Sequence, residues 1–204
     1  MDNEKRMAGD YTILAGLRVG DQEVVIGENR NAQPGERFLC AFCQQNEIMR
    51  LYGDCMVSDD YLEIVKLFVD RIAEQAEKTR TEFQKLVPPD TDITPLTAKD
   101  CEPISGDEKI LDKVIVIKAE VLRPEYQSAT HQLKLCTGGF GSYGRSRGSA
   151  CFCIDLASGR HTRYERQDVL GTIEPEKLPQ WAKEGLERAL AESKEKKNTS
   201  KEAR

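Results

Sequence analysis

The sequence predicts an α+β protein made of two small antiparallel-sheet-plus-helix units joined by a Pro-rich linker. Three observations lead there. Short β-rich runs bounded by turn residues fall into two groups, near residues 11–57 and 113–166. Each group is followed by a stretch whose apolar residues recur at helical spacing. Between the groups, PPDTDITPLTAKDCEPISGDEK holds four prolines and no periodic pattern. The expected boundaries are 1–87 for the first unit and 88–112 for the linker. A β-rich unit with a Gly/Arg hairpin loop follows over 113–178, and 179–204 forms a C-terminal helix with a charged tail.

In chain order, YTILAGLRVGDQEVVIGE reads as a hairpin turning at Gly20-Asp21. RFLCAFC reads as a third strand, while NEIMRLYGDCMV fits either a fourth strand or a short helix. Ser58 and Asp59 suit a helix N-cap. From Tyr61, the residues Ile64, Val65, Phe68, Ile72 and Ala76 share one helical face. Pro88-Pro89 ends that helix near Leu86. The second half of the helix is polar and is expected to face solvent or a partner. KVIVIKAEVL is a β-branched run expected as a buried strand, and QLKLC is the next. SACFCIDL and HTRYER are strands joined by a turn at Gly159. Pro175 and Pro179 suit helix starts, after which Trp181, Ala182, Leu186, Ala189 and Leu190 form one face. KEKKNTSKEAR is expected as a solvated, disordered tail.

The composition, 39% hydrophobic and 32% charged with a net charge of -5, describes a soluble globular chain that does not attract nucleic acid as a whole. No run approaches the 18 or so apolar residues that cross a bilayer. Seven cysteines without a signal peptide argue for a reducing compartment and a cytoplasmic location.

Residues 136–153, CTGGFGSYGRSRGSACFC, raise the functional question. Gly139, Gly141 and Gly144 match GxGxxG, and Gly139, Gly144 and Ser146 nearly match a P-loop, with Arg145 where lysine belongs. Both motifs require the loop to open a helix whose N-terminus holds the anion. Here a strand follows, which removes a nucleotide-binding α/β fold. The VAIK, HRD and DFG signatures of protein kinases are absent.

Two readings remain. In one, the stretch is a flexible hairpin connection with glycine at positive φ. In the other, Tyr143, Arg145 and Arg147 form a contact surface, joined by Lys134, Arg160 and Arg163. Between His131 and Arg166 stand six bases and two acids, an excess of +4 in a chain of -5. A local basic face of this kind suits nucleic acid or a nucleoprotein.

The cysteines offer an alternative, a zinc-stabilised domain. Cys40 and Cys43 have the spacing of half a zinc knuckle, without a second half. Cys136, Cys151 and Cys153 cluster if the hairpin register allows, with His161 one strand further on. No cofactor is otherwise implied. His131 and His161 sit in no catalytic motif, and no catalytic residue stands out.

The run from Val114 to Lys183, about 70 residues, resembles an uncharacterised domain family of integrative conjugative elements in gut Firmicutes, also found inside very large multidomain proteins of those elements. The match rests on LRPEY, then QL, a TGG-type loop ending in RGS, an SG turn, RYER, DVLG and PEKLPQWAK. The stretch from YTILAGLRVGDQEVVIGEN to AEQAEKTR resembles sequences that accompany the domain. The resemblance implies a setting and no reaction. Such elements carry small cytosolic proteins that shield incoming DNA, including anti-restriction and anti-CRISPR inhibitors. The expected function is therefore a non-enzymatic accessory protein that binds nucleic acid or a host nucleoprotein. The other expectation is a protein-interaction module docking through the first helix or through the C-terminal helix bearing Trp181.

Overall fold

A computed structural model describes residues 6–45 and 49–202. Among the described residues lie two five-stranded antiparallel sheets, each with one long helix, in two compact units of residues 1–83 and 84–204. The α+β class is as expected. The two units differ in charge: the first has ten Lys/Arg against sixteen Asp/Glu, a net -6, and the second is at +1.

The first unit is a meander of β1 (Met7–Ala8), β2 (Tyr11–Val19), β3 (Gln22–Glu28), β4 (Phe38–Gln45) and β5 (Arg50–Ser58). The segment that fitted strand or helix is the strand β5. It is broken by a bulge opposite Cys40–Phe42, where Asp54 takes a φ of 49°. Helix α1 (Tyr61–Gln84) lays Ile64, Val65, Phe68 and Ile72 on Val24, Ile26 and Cys40.

Its N-cap is Asp60, whose Oδ1 accepts the N–H groups of Leu62 at 2.8 Å and Glu63 at 3.3 Å. Neither Ser58 nor Asp59 fills that role. Asp59 instead accepts the backbone N–H groups of Gly35 and Arg37, tying down the β3–β4 loop. The polar second half of α1 is not all solvent-facing. Gln75 donates to Asp21 at 2.8 Å, and Thr79 is buried against Gly20, whose hydrogen leaves room for it.

The second unit orders its sheet β10-β6-β7-β8-β9. The strands are β6 (Val114–Ile117), β7 (Leu133–Gly138), β8 (Ala150–Asp155), β9 (His161–Glu165) and β10 (Val169–Ile173). A short helix, α2 (Ala129–Gln132), precedes β7. The strand β10 had no counterpart in the sequence reading: VLGTI is short, is interrupted by Gly171 and lies only two residues after RYER.

One face of the sheet carries Leu133, Leu135, Ile154 and Leu156. Helix α3 (Gln180–Glu202) covers it with Trp181, Ala182, Leu186 and Ala189, the face read from its 3.6-residue period. Trp181 is thereby buried and cannot serve as a docking side chain. The helix continues through Glu202, so most of the stretch expected as a disordered tail is helical, with residues 203–204 outside the described residues.

The Pro-rich segment is part of this unit and no free linker. Glu102 and Thr172 exchange backbone hydrogen bonds of 2.8 Å, capping the β10 edge. Leu96 exchanges two bonds with the Gln132 amide, and Ile110 is fully buried on the other face of the sheet. Prolines therefore punctuate a cover strand.

Candidate nucleic-acid interface

The β7–β8 connection, residues 139–149, is pinned on both sides. Arg166 donates to the carbonyls of Gly141 (2.7 Å), Ser105 (2.9 Å) and Glu108 (2.8 Å). Ser146 Oγ lies 2.6 Å from the Phe140 carbonyl and 2.7 Å from that of Gly148. Ile110 N–H donates to the Ser142 carbonyl.

The glycines of the GxGxxG match serve these crossings. A Cβ on Gly141 would lie 2.0 Å from the Ser149 carbonyl oxygen, and one on Gly144 2.1 Å from that of Asp107. Both positions need glycine because backbone passes there, as a phosphate would in a nucleotide loop. The expected flexible connection is thus a fixed one.

This packing changes the inventory of basic residues. Lys134 was expected on the surface, yet it is 2% exposed, on the face opposite α3, and paired with buried Asp155. Alternation along β7 put it beside Cys136, and that face is covered by Ile104, Ile110 and Leu122. Arg166 is a structural donor. Arg145 makes a bidentate pair with Asp107, its Nη2 at 2.6 Å, and remains largely exposed. Arg163 meets Glu165 at 2.7 Å. Arg147 and Arg160 are exposed and form no ion pair among the described residues. Tyr143 is 47% exposed, with the Lys109 ammonium 5.6 Å from its ring centre. Arg160 lies at the β8–β9 turn, away from the connection.

Two exposed aromatic residues that were not among the expected contact residues stand at the same end of the β7–β8 hairpin. Alternation along the strand places Phe152 with Ile154 and Leu156, opposite Cys151 and Cys153. It does share their side of the sheet, but it is 51% exposed while α3 covers the other two. Its cross-strand neighbours are Gly138 on β7 and Arg163 on β9, so the ring spreads over a strand that offers no side chain there. Phe140, 73% exposed, packs its Cβ on Gly148, next to Arg147. The signal available in the sequence was an aromatic enclosed by glycines, and a strand aromatic at the end away from its covering helix.

Strand register decides which of the candidate cysteines come together. Cys40 and Cys43 point to opposite faces of β4, one toward α1 and one away, so the knuckle spacing does not converge on one point. Cys136, Cys151 and Cys153 do cluster, with Cys136 directly across from Cys153. His161 pairs with Ile154, which puts it on the other face, where its Nε2 lies 2.7 Å from Glu192 of α3. Among the described residues, no group of three or more His, Cys, Asp or Glu is arranged to hold a metal ion.

The three thiols sit among Ile110, Ile115, Ile117 and Val169. The hydrogen bond from Cys151 favours the Cys136 thiolate, but the bond with Cys153 and burial outweigh it and push Cys136 up to about 12. Its bond to Cys136 and burial likewise raise Cys151. All three are buried and serve as packing side chains.

Among the described residues, no helix is long and apolar enough to cross a membrane. Set against family models, curated proteins and solved structures, the chain matches none.

Proposed function

We propose that the chain is an accessory protein of a mobile genetic element that acts by binding nucleic acid, free or within a host nucleoprotein, as an inhibitor of host-defence nucleases would. One observation carries this reading. Arg147 and Arg160 have no carboxylate partner among the described residues, and Arg147 precedes Gly148, on which the exposed Phe140 packs. Arginines that the fold does not neutralise are the ones available to phosphate. The genetic setting is supported by the order of motifs from LRPEY to PEKLPQWAK.

The test is a fluorescence-anisotropy titration of labelled DNA and RNA, duplex and single-stranded, with the wild-type chain and with Arg147→Ala/Arg160→Ala/Arg163→Ala. Binding that weakens in the triple variant and falls with added salt supports the reading; equal binding by the variant counts against it.

A protein-contact reading has one observation of its own. Leu62 and Val69, seven residues apart on α1, are both more than half exposed. A partner captured by the wild-type chain but not by Leu62→Lys/Val69→Lys would favour it.

A further inference from the structure

We infer that the exposed side chains at the loop end of the β7–β8 hairpin, Phe140 and Arg147 in the connection and the cross-strand neighbours Phe152 and Arg163, take single-stranded nucleic acid, with unpaired bases stacked on the phenylalanine rings. This rests on the nucleic-acid reading above and narrows it to one substrate class.

Three observations favour a single strand over a duplex. First, both rings are more than half exposed on a β-rich unit, and an exposed ring face can stack only on a base that is not already stacked in a helix. Second, Gly138 beside Phe152 and Gly148 beneath Phe140 leave the neighbouring positions without side chains, so the chain alongside each ring is low. Third, the charge is too sparse for a duplex binder. Arg145 and Arg163 already face carboxylates, and the unit as a whole is at +1. Duplex affinity comes chiefly from neutralising many phosphates, whereas stacking supplies affinity without charge.

The pinned loop adds to the case. The hydrogen bonds of Arg166, Ser146 and Ile110 hold residues 140–148 before any ligand arrives, which lowers the entropy lost on binding.

The experiment measures anisotropy with three probes of one sequence: a 12-nucleotide single strand, its duplex, and the single strand carrying abasic spacers in its central positions. Expected results are tightest binding of the intact single strand, and a roughly 5- to 100-fold loss for Phe140→Ala or Phe152→Ala. Phe152→Trp is expected to retain binding. The slope of log affinity against log salt is expected near about -1 to -2, because only one to three phosphates are neutralised. Thermal melts of the variants verify that they fold, which the exposure of both rings favours.

Duplex binding as tight as single-strand binding, lost in Arg147→Ala but not in either Phe→Ala variant, overturns the stacking inference and leaves the proposed function standing. The same holds if the abasic probe binds as well as the intact one. No binding to any probe overturns both.

Discussion

Replacing Lys134 by methionine separates the interior of the second unit from its surface. Lys134 Nζ donates to Asp155 Oδ2 inside the protein, and the pair lies 5.8 Å from the Tyr164 ring centre on the lysine side. Asp155 Oδ1 is engaged separately, accepting the N–H groups of Ala157 (3.0 Å) and Ser158 (2.9 Å) in the β8–β9 turn. Methionine keeps the length and packing of the lysine stem but leaves a carboxylate buried without its cation. Removing one member of a buried pair costs about 3–5 kcal/mol. The two turn bonds still partly compensate the charge, so the low end, about 3 kcal/mol, is expected. For a unit of this size, that lowers the melting temperature by roughly 10 °C.

Adding Asp155→Leu removes the stranded charge and forfeits the two turn bonds, at about 1 kcal/mol each. The double variant is therefore less destabilised than the sum of the single ones. The assay is urea unfolding of the four proteins of the cycle, followed by oligonucleotide binding at a temperature where all are folded. Lys134→Met is expected to bind as well as wild type, since the side chain lies inside. A stability change under about 0.5 kcal/mol, typical of surface substitutions, would refute the buried placement. Lost binding by a folded Lys134→Met protein would refute it equally.

Other predictions follow from the same packing. Burial lowers the pKa of His131 to about 4, with Asp155, Lys134, Arg160 and Glu125 as the charged groups around it. The unfolded chain therefore takes up a proton near pH 6.5 that the folded chain refuses until about pH 4. Stability should fall across that window, by about 1–2 kcal/mol at pH 5 once partial exposure is discounted. Comparing melts of wild type and His131→Gln at pH 7 and 5 tests this; an equal acid loss in both would contradict it.

Gly144→Ala should destabilise by at least about 2 kcal/mol, because its Cβ meets the Asp107 backbone, whereas Gly106→Ala, with open space, should stay within about 0.5 kcal/mol. Of the seven thiols, exposed Cys55 should react at once with a disulfide reagent. Half-buried Cys101 should follow slowly, and the other five only on unfolding. Fast modification of Cys136, Cys151 or Cys153 in the native protein would contradict their packing.

Much of the fold was legible because its periods are strong. The Gly20 hairpin, the α1 face through Ile72 and the α3 face through Leu190 follow directly from alternation of two and recurrence of 3.6. The sequence misled where a local signal depends on what lies across the chain. Prolines at 88–103 looked like a linker because periodicity does not report that Glu102 caps β10. Glycines at 139–144 looked like flexibility, although each marks a close crossing of backbone.

The charge count failed for a related reason. Summing bases along residues 131–166 ignores that Asp107, 38 residues before Arg145, neutralises it, and that Lys134 and Arg166 serve the interior. Conversely, alternation reports which side of the sheet Phe152 takes but not whether that end is covered, and Phe140 lies in the connection, where no period reports exposure. Only the extent of the helix above the sheet reveals which end stays uncovered.

The most direct test of the central claim is an amide chemical-shift titration of the labelled protein with a single-stranded oligonucleotide. Perturbations are expected to centre on Phe140, Arg147, Phe152 and Arg163, and to leave Lys134, Cys136 and Cys153 on the opposite face of the sheet unmoved. Shifts confined to the first unit, or no shifts at saturating oligonucleotide, would contradict the claim.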